Sequence, residues 1–484
     1  VKRVLVLGGY GGFGGRIAQR LAAEGWEVLV AGRDLQRAEH FCAGRPNLLP
    51  FCLDRDADLA AQLARHKPFA VVDAAGPFQS APYQVPRACM AAGCHYLDIA
   101  DARDFVTGIG VLDAEARAAG IAIVSGASSV PALSGAVVSS LAEGMTRIRS
   151  VEIAISASSK ATAGPSLTKA IVSYLGRPIR IWRGQRWTVR HGWQEMRRES
   201  FCVAGEESLD GRLVGLADVP DLKLLPGRLK GNPAVTFRAG AELALQNRAL
   251  SAASGLVRTG WIKRPEALIP AVLWVQRLMA RLGTARSGMI VRMFGMAGGR
   301  RVERRWTLIA NHGTGPEIPA LAVPMLLRRI LEGTPGPGAR DAGTLLELED
   351  FEPAFAAMSI RHETVEAELS PPLYARVLGS RFDELPASVR AMHDVLRDHG
   401  ASGRAGVRRG HHPLARMLAA AMGFPAEGEH DLHVAFAEHD GIENGPGLFL
   451  KDRSKARFRN APGLSTSASV QCGSGSALQP TAPA

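Results

Sequence analysis

The chain has 484 residues, 46% of them hydrophobic and 21% charged, with a net charge of +12. This is a globular profile, too long for one ordinary core, and without a run of about 18 consecutive apolar residues it predicts no membrane span. Of the charge, +4 falls after Asn444, and the diffuse remainder argues for anionic small ligands rather than nucleic acid.

Residues 1 to about 130 alternate strand and helix signals. The apolar run "VKRVLVLGG" reads as a buried strand, "GGRIAQRLAAEG" as a helix stopped at Gly25, and "WEVLVAG" as the next strand. The cycle repeats through "NLLPFCLD", "FAVVDAAG", "HYLDIA" and "IAIVSG", the pattern of a doubly wound parallel α/β sheet. From about 131 longer alternating runs such as "RIRSVEIAISAS", "SGMIVRMFGMAGG" and "RRVERRWTLIANHG" predict a mostly antiparallel sheet. Helices are expected near 131–143, 166–175 and 266–282. "IPALAVPMLLRRILEG" reads as a closing amphipathic helix packed back on the first domain, and "GTPGPGARDAG" as a loop.

The expected fold class is therefore α/β: an N-terminal Rossmann doubly wound parallel sheet (1–130), an α+β mixed-sheet substrate and dimerisation domain (131–350) and a small C-terminal domain (365–443). The low-complexity end "STSASVQCGSGSALQPTAPA" predicts a disordered tail over 444–484. Six cysteines without a C-x-x-C pair, and a strand pattern that starts at once, give a cytoplasmic setting as the expectation.

Six glycines lie between Gly8 and Gly15 in "GGYGGFGG". The G-x-G-x-x-G template fits Gly9 as the tight turn, Gly11 as the point of close approach to a pyrophosphate and Gly14 as the helix–strand contact. A helix starting near Phe13 would aim free N–H groups and its positive dipole end at phosphates. About twenty residues on, "VLVAGRD" places Arg33 where an NAD site carries an acid. An arginine there pairs with a 2′-phosphate, which favours NADP; with Arg33 solvated, Asp34 would bind a ribose hydroxyl and NAD is the alternative. Asp54, ending "FCLD", reads either as an adenine contact or as a helix N-cap.

With "VVDAAGPFQS", "HYLDIAD" and "VSGASSVPALS", these stretches resemble the saccharopine dehydrogenase-like family of oxidoreductases over roughly residues 1–350. The family includes saccharopine reductases and trans-acting enoyl reductases of lipid synthesis. The resemblance implies that Gly9, Tyr10, Gly11, Phe13 and Gly14 cradle the pyrophosphate and that Arg33 faces the adenosine ribose. It implies that Ala75, Gly76 and Pro77 lie along the nicotinamide half, with Tyr96, Asp98, Ser128 and Ser129 at the mouth of the cleft. Of these, Tyr96, Asp98 and Ser129 are the candidates for chemistry; packing, pairing and N-capping are their structural alternatives. "LYARVLGSRFDELPASVRAMHD" resembles a domain of unknown function that can follow such a unit, whose expected ending is absent after Glu443, as after truncation or a change of reading frame.

Seven of thirteen histidines fall between His393 and His439, but no H-E-x-x-H or paired-cysteine set accompanies them and no metal is expected. "IRIWRGQRWTVRHGWQEMRR" reads as an amphipathic sheet edge, with contact to an acidic substrate as the alternative. "PEALIPAVLWVQRLMARLG" reads as a core or homodimer helix, with a membrane surface as the alternative if it is not buried. The expected activity is NADP-dependent hydride transfer to or from a C=N, C=C or C=O bond of a small or lipid-like substrate. The rival is a nucleotide-binding or scaffold protein that keeps the fold without turnover.

Overall fold

The apolar runs of the first third become strands, buried on both faces except for β3 at the sheet edge. In the computed structural model, which describes residues 2–57, 59–160, 165–408, 412–421, 426–439, 442–449 and 455–460, these are β1 (Arg3–Leu7), β2 (Glu27–Gly32), β3 (Leu48–Cys52), β4 (Ala70–Asp73), β5 (His95–Asp98) and β6 (Ala122–Ser125). The chain then builds β7 (Met145–Ala157), β8 (Pro178–Arg183), β9 (Arg186–His191), β10 (Arg197–Phe201), β11 (Leu209–Leu216), β12 (Ala234–Ala241), β13 (Ser287–Ala297) and β14 (Arg300–Ala310). It returns to the first sheet with β15 (Gly338–Asp341) and to the second with β16 (Ile360–Glu368).

The first sheet is all parallel, in the order β15-β6-β5-β4-β1-β2-β3. Its order reverses between β1 and β4, the switch point at which open α/β sheets bind ligands beyond their strand ends. The second sheet runs β10-β11-β12-β7-β13-β14-β16; only β12 and β7 pair in parallel. This is the mostly antiparallel sheet that the alternation predicts.

The expected loop "GTPGPGARDAG" is corrected: it contains β15, which adds a seventh strand beside β6. Gly338 N–H donates to the Ile121 carbonyl at 2.9 Å and Ala339 N–H to Asp113 Oδ1 at 3.0 Å. Four residues in a Pro/Gly-rich setting show no period, so their strand state comes from partners more than 200 residues away in sequence. The second domain is thus an insertion into the first, and a boundary at 350 does not describe it. The helix Ala322–Leu331 does pack back as expected, with Val323, Leu326 and Leu327 fully buried. Just before it, Glu317 accepts from Arg16 at 2.7 Å and from Arg20 at 2.8 Å, both on the helix Gly12–Ala23. One hydrophobic cluster then runs from Val4 and Ile17 through Val137 and Leu326 to Val291 and Trp306, so the two sheets share a core.

The C-terminal unit begins after β16 and forms a four-stranded antiparallel sheet, β17 (Asp398–Val407), β18 (Gly428–His439), β19 (Ile442–Phe449) and β20 (Lys455–Asn460). The expectation of disorder from 444 is corrected over 442–449 and 455–460, where backbone pairing extends the sheet; residues 450–454 and 461–484 lie outside the described residues. The unit docks on the second sheet through Arg397, which meets Glu152 at 2.7 and 3.2 Å. Asp398 Oδ1 also accepts from Gly184 N–H at 2.7 Å.

The return of the chain has a sharp test at Gly135, on the helix Ser134–Ala142, where an added Cβ would lie 2.0 Å from the Gly343 carbonyl oxygen just past β15. Backbone on both sides cannot yield, so Gly135→Ala is expected to destabilise by about 2–3 kcal/mol. Gly110→Ala, at a site with nothing within 4 Å, serves as the neutral control. Equal melting temperatures for the two variants would contradict this topology.

Candidate functional site

The crevice at the switch point is built around Gly8, Gly9 and Gly14, where a side chain would not fit. Gly8, not the expected Gly9, takes the left-handed turn, with φ of 72°. The working spacing is therefore Gly8-x-x-Gly11-x-x-Gly14. A Cβ on Gly14 would stand 2.2 Å from the Gly8 carbonyl, and one on Gly9 2.8 Å from the Val6 carbonyl and 3.1 Å from Val30. Gly11 is the N-cap of the helix Gly12–Ala23, with no side chain capping it and no acid in its first turn. The N–H groups of Gly12, Phe13 and Gly14 are thus left to solvent or to an anion. Gly12 has nothing within 4 Å of its Cβ position, so the surface in front of these groups is open.

At the end of β2 the ring of Tyr10 lies on Gly32, where a Cβ would fall 2.3 Å from the ring. Asp34 N–H donates to Tyr10 Oη at 3.1 Å, and Asp34 caps the helix Leu35–Cys42 by accepting from Arg37 N–H at 3.1 Å. The Arg37 guanidinium sits 5.0 Å over the Tyr10 ring. Around them opens a cavity of about 420 Å³, lined by Tyr10, Asp34, Arg37, His40, Phe41 and Arg45 among others. Arg33 is exposed beside it and does not line it. Asp54 is neither N-cap nor pocket residue: its Oδ1 accepts from Asp56 N–H at 3.1 Å within a turn, while the next helix starts at Leu59.

Across the crevice, β4 ends at buried Asp73, which accepts from Ala75 N–H at 3.0 Å and from Arg55 at 3.3 Å. Burial raises its carboxyl, against the pull of Arg55. Ala75, Gly76 and Pro77 follow, with a cis Gly76–Pro77 bond. A Cβ on Gly8 would meet the Ala74 carbonyl at 3.1 Å, so the two loops approach backbone to backbone.

The three candidates for chemistry fare differently from expectation. Tyr96 is fully buried in a cluster with Leu5, Val71 and Cys89, its hydroxyl without a partner among the described residues. Tyr96 lines a small cavity of about 40 Å³ with Asp73, Phe78 and Phe105, but its hydroxyl oxygen is buried and burial pushes it up, which does not favour the expected proton donor. Asp98 is also fully buried; its Oδ1 accepts from Gly126 N–H at 2.8 Å, Ala100 N–H at 2.9 Å and Ser125 Oγ at 3.0 Å. It ties the ends of β5 and β6 together. Ser129 opens a π-turn over Ser129–Leu133 that no side chain caps, so its expected N-cap is absent.

A polar cluster that the sequence reading did not single out stands where the inserted domain faces the loop after Pro77. Gln79 Nε2 donates to Tyr174 Oη at 3.1 Å. Arg103, 9% exposed, pairs with Asp218 and donates to the Arg180 carbonyl at 2.6 Å. Burial raises the Asp218 carboxyl to about 6 and lifts both Asp101 and the Tyr174 hydroxyl. The signal in the sequence was the charged run "DARD" directly after a strand end; Tyr174 and Asp218 come from distant elements and gave none.

Elsewhere, Trp182 and Trp187 pack edge to face at 5.5 Å on the β8–β9 hairpin, and Arg183 and Arg190 meet Glu195 at 3.0 and 2.8 Å. His433 Nδ1 pairs with Ser402 Oγ at 2.8 Å. Among the described residues no group of three or more His, Cys, Asp or Glu could hold a metal ion. No helix there is long and apolar enough to cross a membrane.

Asp98 makes the site's pH dependence testable. Burial lifts its carboxyl from 3.8 to about 7, against three hydrogen bonds that pull it down. Unfolded chains release this proton first, so folded stability falls as pH rises from about 4 to about 7. Asp98→Asn keeps the acceptor and removes the charge. It is expected to gain on the order of 2 kcal/mol over the native protein between pH 4.5 and 7.5. Melting curves that stay parallel across that range would sink the assignment.

Residues 4–124 match the family described as the saccharopine dehydrogenase NADP binding domain. No curated protein matches the chain. Among solved structures, apo saccharopine dehydrogenase (L-Glu forming) from Saccharomyces cerevisiae aligns over 75% of this chain and 100% of its own at 13% identity, with a TM-score of 0.51. An amine dehydrogenase from Mycobacterium smegmatis aligns over 72% of this chain and 96% of its own at 12% identity and a TM-score of 0.39. GenD2 from gentamicin A biosynthesis, in complex with NAD, aligns over 76% and 96% at 14% identity and a TM-score of 0.36. Identities this low speak of fold alone. Residues 4–124 therefore carry a domain of the saccharopine dehydrogenase NADP-binding type.

Proposed function

We propose that the protein is an NADP-dependent oxidoreductase whose substrate meets the cofactor between the crevice and the inserted domain. The observation that carries this reading is the uncapped helix start at Gly11–Gly14, closed by glycines behind and open in front. A diphosphate would take the N–H groups there, and Ala75, Gly76 and Pro77 would hold the nicotinamide half. The bound nicotinamide would supply the hydride chemistry. Arg37 and Arg45, in the cavity beside Tyr10, are better placed than Arg33 for a 2′-phosphate; Arg33 can reach toward it from the rim.

For the proton, Tyr174 replaces Tyr96 as the candidate. It is half-buried, is oriented by Gln79, and has its hydroxyl kept protonated by burial at any working pH. Arg103 with Asp218 would orient a polar substrate group. The substrate class is a C=N, C=C or C=O compound, small or lipid-like. A homodimer is the proposed assembly and the cytoplasm the proposed location.

Titrating NADPH and NADH against the native protein, Arg33→Ala, Arg37→Ala and Arg45→Ala tests the cofactor assignment. Tighter binding of NADPH is expected, with a loss of about tenfold or more for Arg37→Ala that NADH does not share. Equal affinity for both nucleotides in every variant would refute it. A panel of imines, enoyl thioesters and ketones should show NADPH oxidation with at least one member. Tyr174→Phe should slow it about a hundredfold while cofactor affinity holds. Binding without turnover on any member would favour the scaffold reading.

A further inference from the structure

The helices Ala244–Arg258 and Ile269–Met279 are packed on one side only. Their inner residues, Leu250, Ala253 and Val257 on the first and Ile269 and Val272 on the second, lie against a cluster of Val172, Leu175 and Trp193. The outer faces are apolar as well. Trp274 and Leu278 lie one turn apart on the second, with Leu282 exposed in the turn just after it, and Leu245 and Leu256 share the outer face of the first. Trp261, in the connection between them, is 83% exposed, Leu282 70% and Trp274 65%. No residue of the second helix is buried, which removes the core-helix reading of this segment.

The charge around this face has one sign. Between residues 243 and 283 the chain carries Arg248, Arg258, Lys263, Arg264, Arg277 and Arg281 against the single acid Glu266. That acid already faces Arg177 at 3.9 Å. Arg277 on the second helix and Arg281 in the turn after it are exposed beside Trp274, Leu278 and Leu282. A two-fold interface between copies would set these cations against their own images, which costs rather than stabilises. A surface that presents anions beside hydrocarbon satisfies both features at once.

We infer that this helix pair docks on an anionic lipid bilayer, with Trp261, Trp274, Leu278 and Leu282 in the headgroup–acyl boundary and the flanking arginines on lipid phosphates. The docked face lies one helix away from the candidate site. The helix Ile269–Met279 packs on the helix Pro165–Ser173, whose next residue, Tyr174, reaches Gln79. The inference does not depend on the reaction proposed above, because its test reads binding and not turnover.

The full chain is sedimented with vesicles of phosphatidylcholine alone and of phosphatidylcholine with an equal part of phosphatidylglycerol, and its tryptophan emission is followed. Binding to the anionic vesicles only, with a blue shift and weakening by salt, is expected. The double variants Trp274→Ser/Leu278→Ser and Arg277→Gln/Arg281→Gln should each lower binding at least about tenfold. All four side chains are partly or wholly exposed, so melting temperature should not move, and that is checked alongside. The inference is overturned if neither vesicle binds or if neutral and anionic vesicles bind alike. Native-like binding by both variants would also overturn it, as would light scattering that shows a dimer which the apolar variant splits.

Discussion

Everything at the switch point depends on backbone meeting backbone without side chains between. Gly14 sits where any Cβ would be 2.2 Å from the Gly8 carbonyl, and Gly8 itself presses on the Ala74 carbonyl. That closeness joins β1, β4 and the first helix into one wall. It also leaves the first-turn N–H groups of that helix facing outward with no protein acceptor across the N-cap. The entropy lost by so many glycines is offset by this packing and, in the proposed function, by a bound diphosphate. The helix dipole adds to the same end.

Around that wall the chain closes on itself. The inserted second sheet grows out between β6 and β15, and the return through Glu317, the helix Ala322–Leu331 and β15 fastens it to the first. A shared core follows, and so does the position of Tyr174, Asp218 and Arg103 beside the loop that carries Gln79. The C-terminal unit is fixed from the other side by charge, with Arg397 on Glu152 and Asp398 on Gly184. Burial makes such pairs costly to break one partner at a time.

The sequence disclosed what depends on local period and on short motifs. The central parallel strands are continuous apolar runs because both their faces are covered, and β1, β2, β4, β5 and β6 were readable as such. The glycine loop was legible as a phosphate cradle but not in its register: the left-handed turn falls on Gly8, and overlapping templates in "GGYGGFGG" cannot be told apart without φ. β15 was hidden because a strand of four residues has no period and owes its state to β6. Tyr96 and Asp98 show the same limit from the other side. Strand alternation sets both side chains on one face, yet only packing reveals that both are fully buried there. Tyr174 and Asp218 join the site through the insertion, and nothing in their own neighbourhoods announces it. The basic, apolar helix pair was visible as composition, but its exposure became known only once its inner face was seen to be filled by other residues.

The central claim is that bare main chain at Gly11–Gly14 holds a diphosphate, and Gly12→Asp tests it most directly. Gly12 opens the helix, has no neighbour within 4 Å of its Cβ position and has no positive φ. An acid in that first turn complements the dipole, so folding is kept or improved. The account predicts a melting temperature at or above the native value and an NADPH affinity lowered at least about tenfold, since the carboxylate takes the place of a phosphate. Unchanged affinity in a folded Gly12→Asp protein, or a native protein that takes up neither NADPH nor NADH at millimolar concentration, would contradict it.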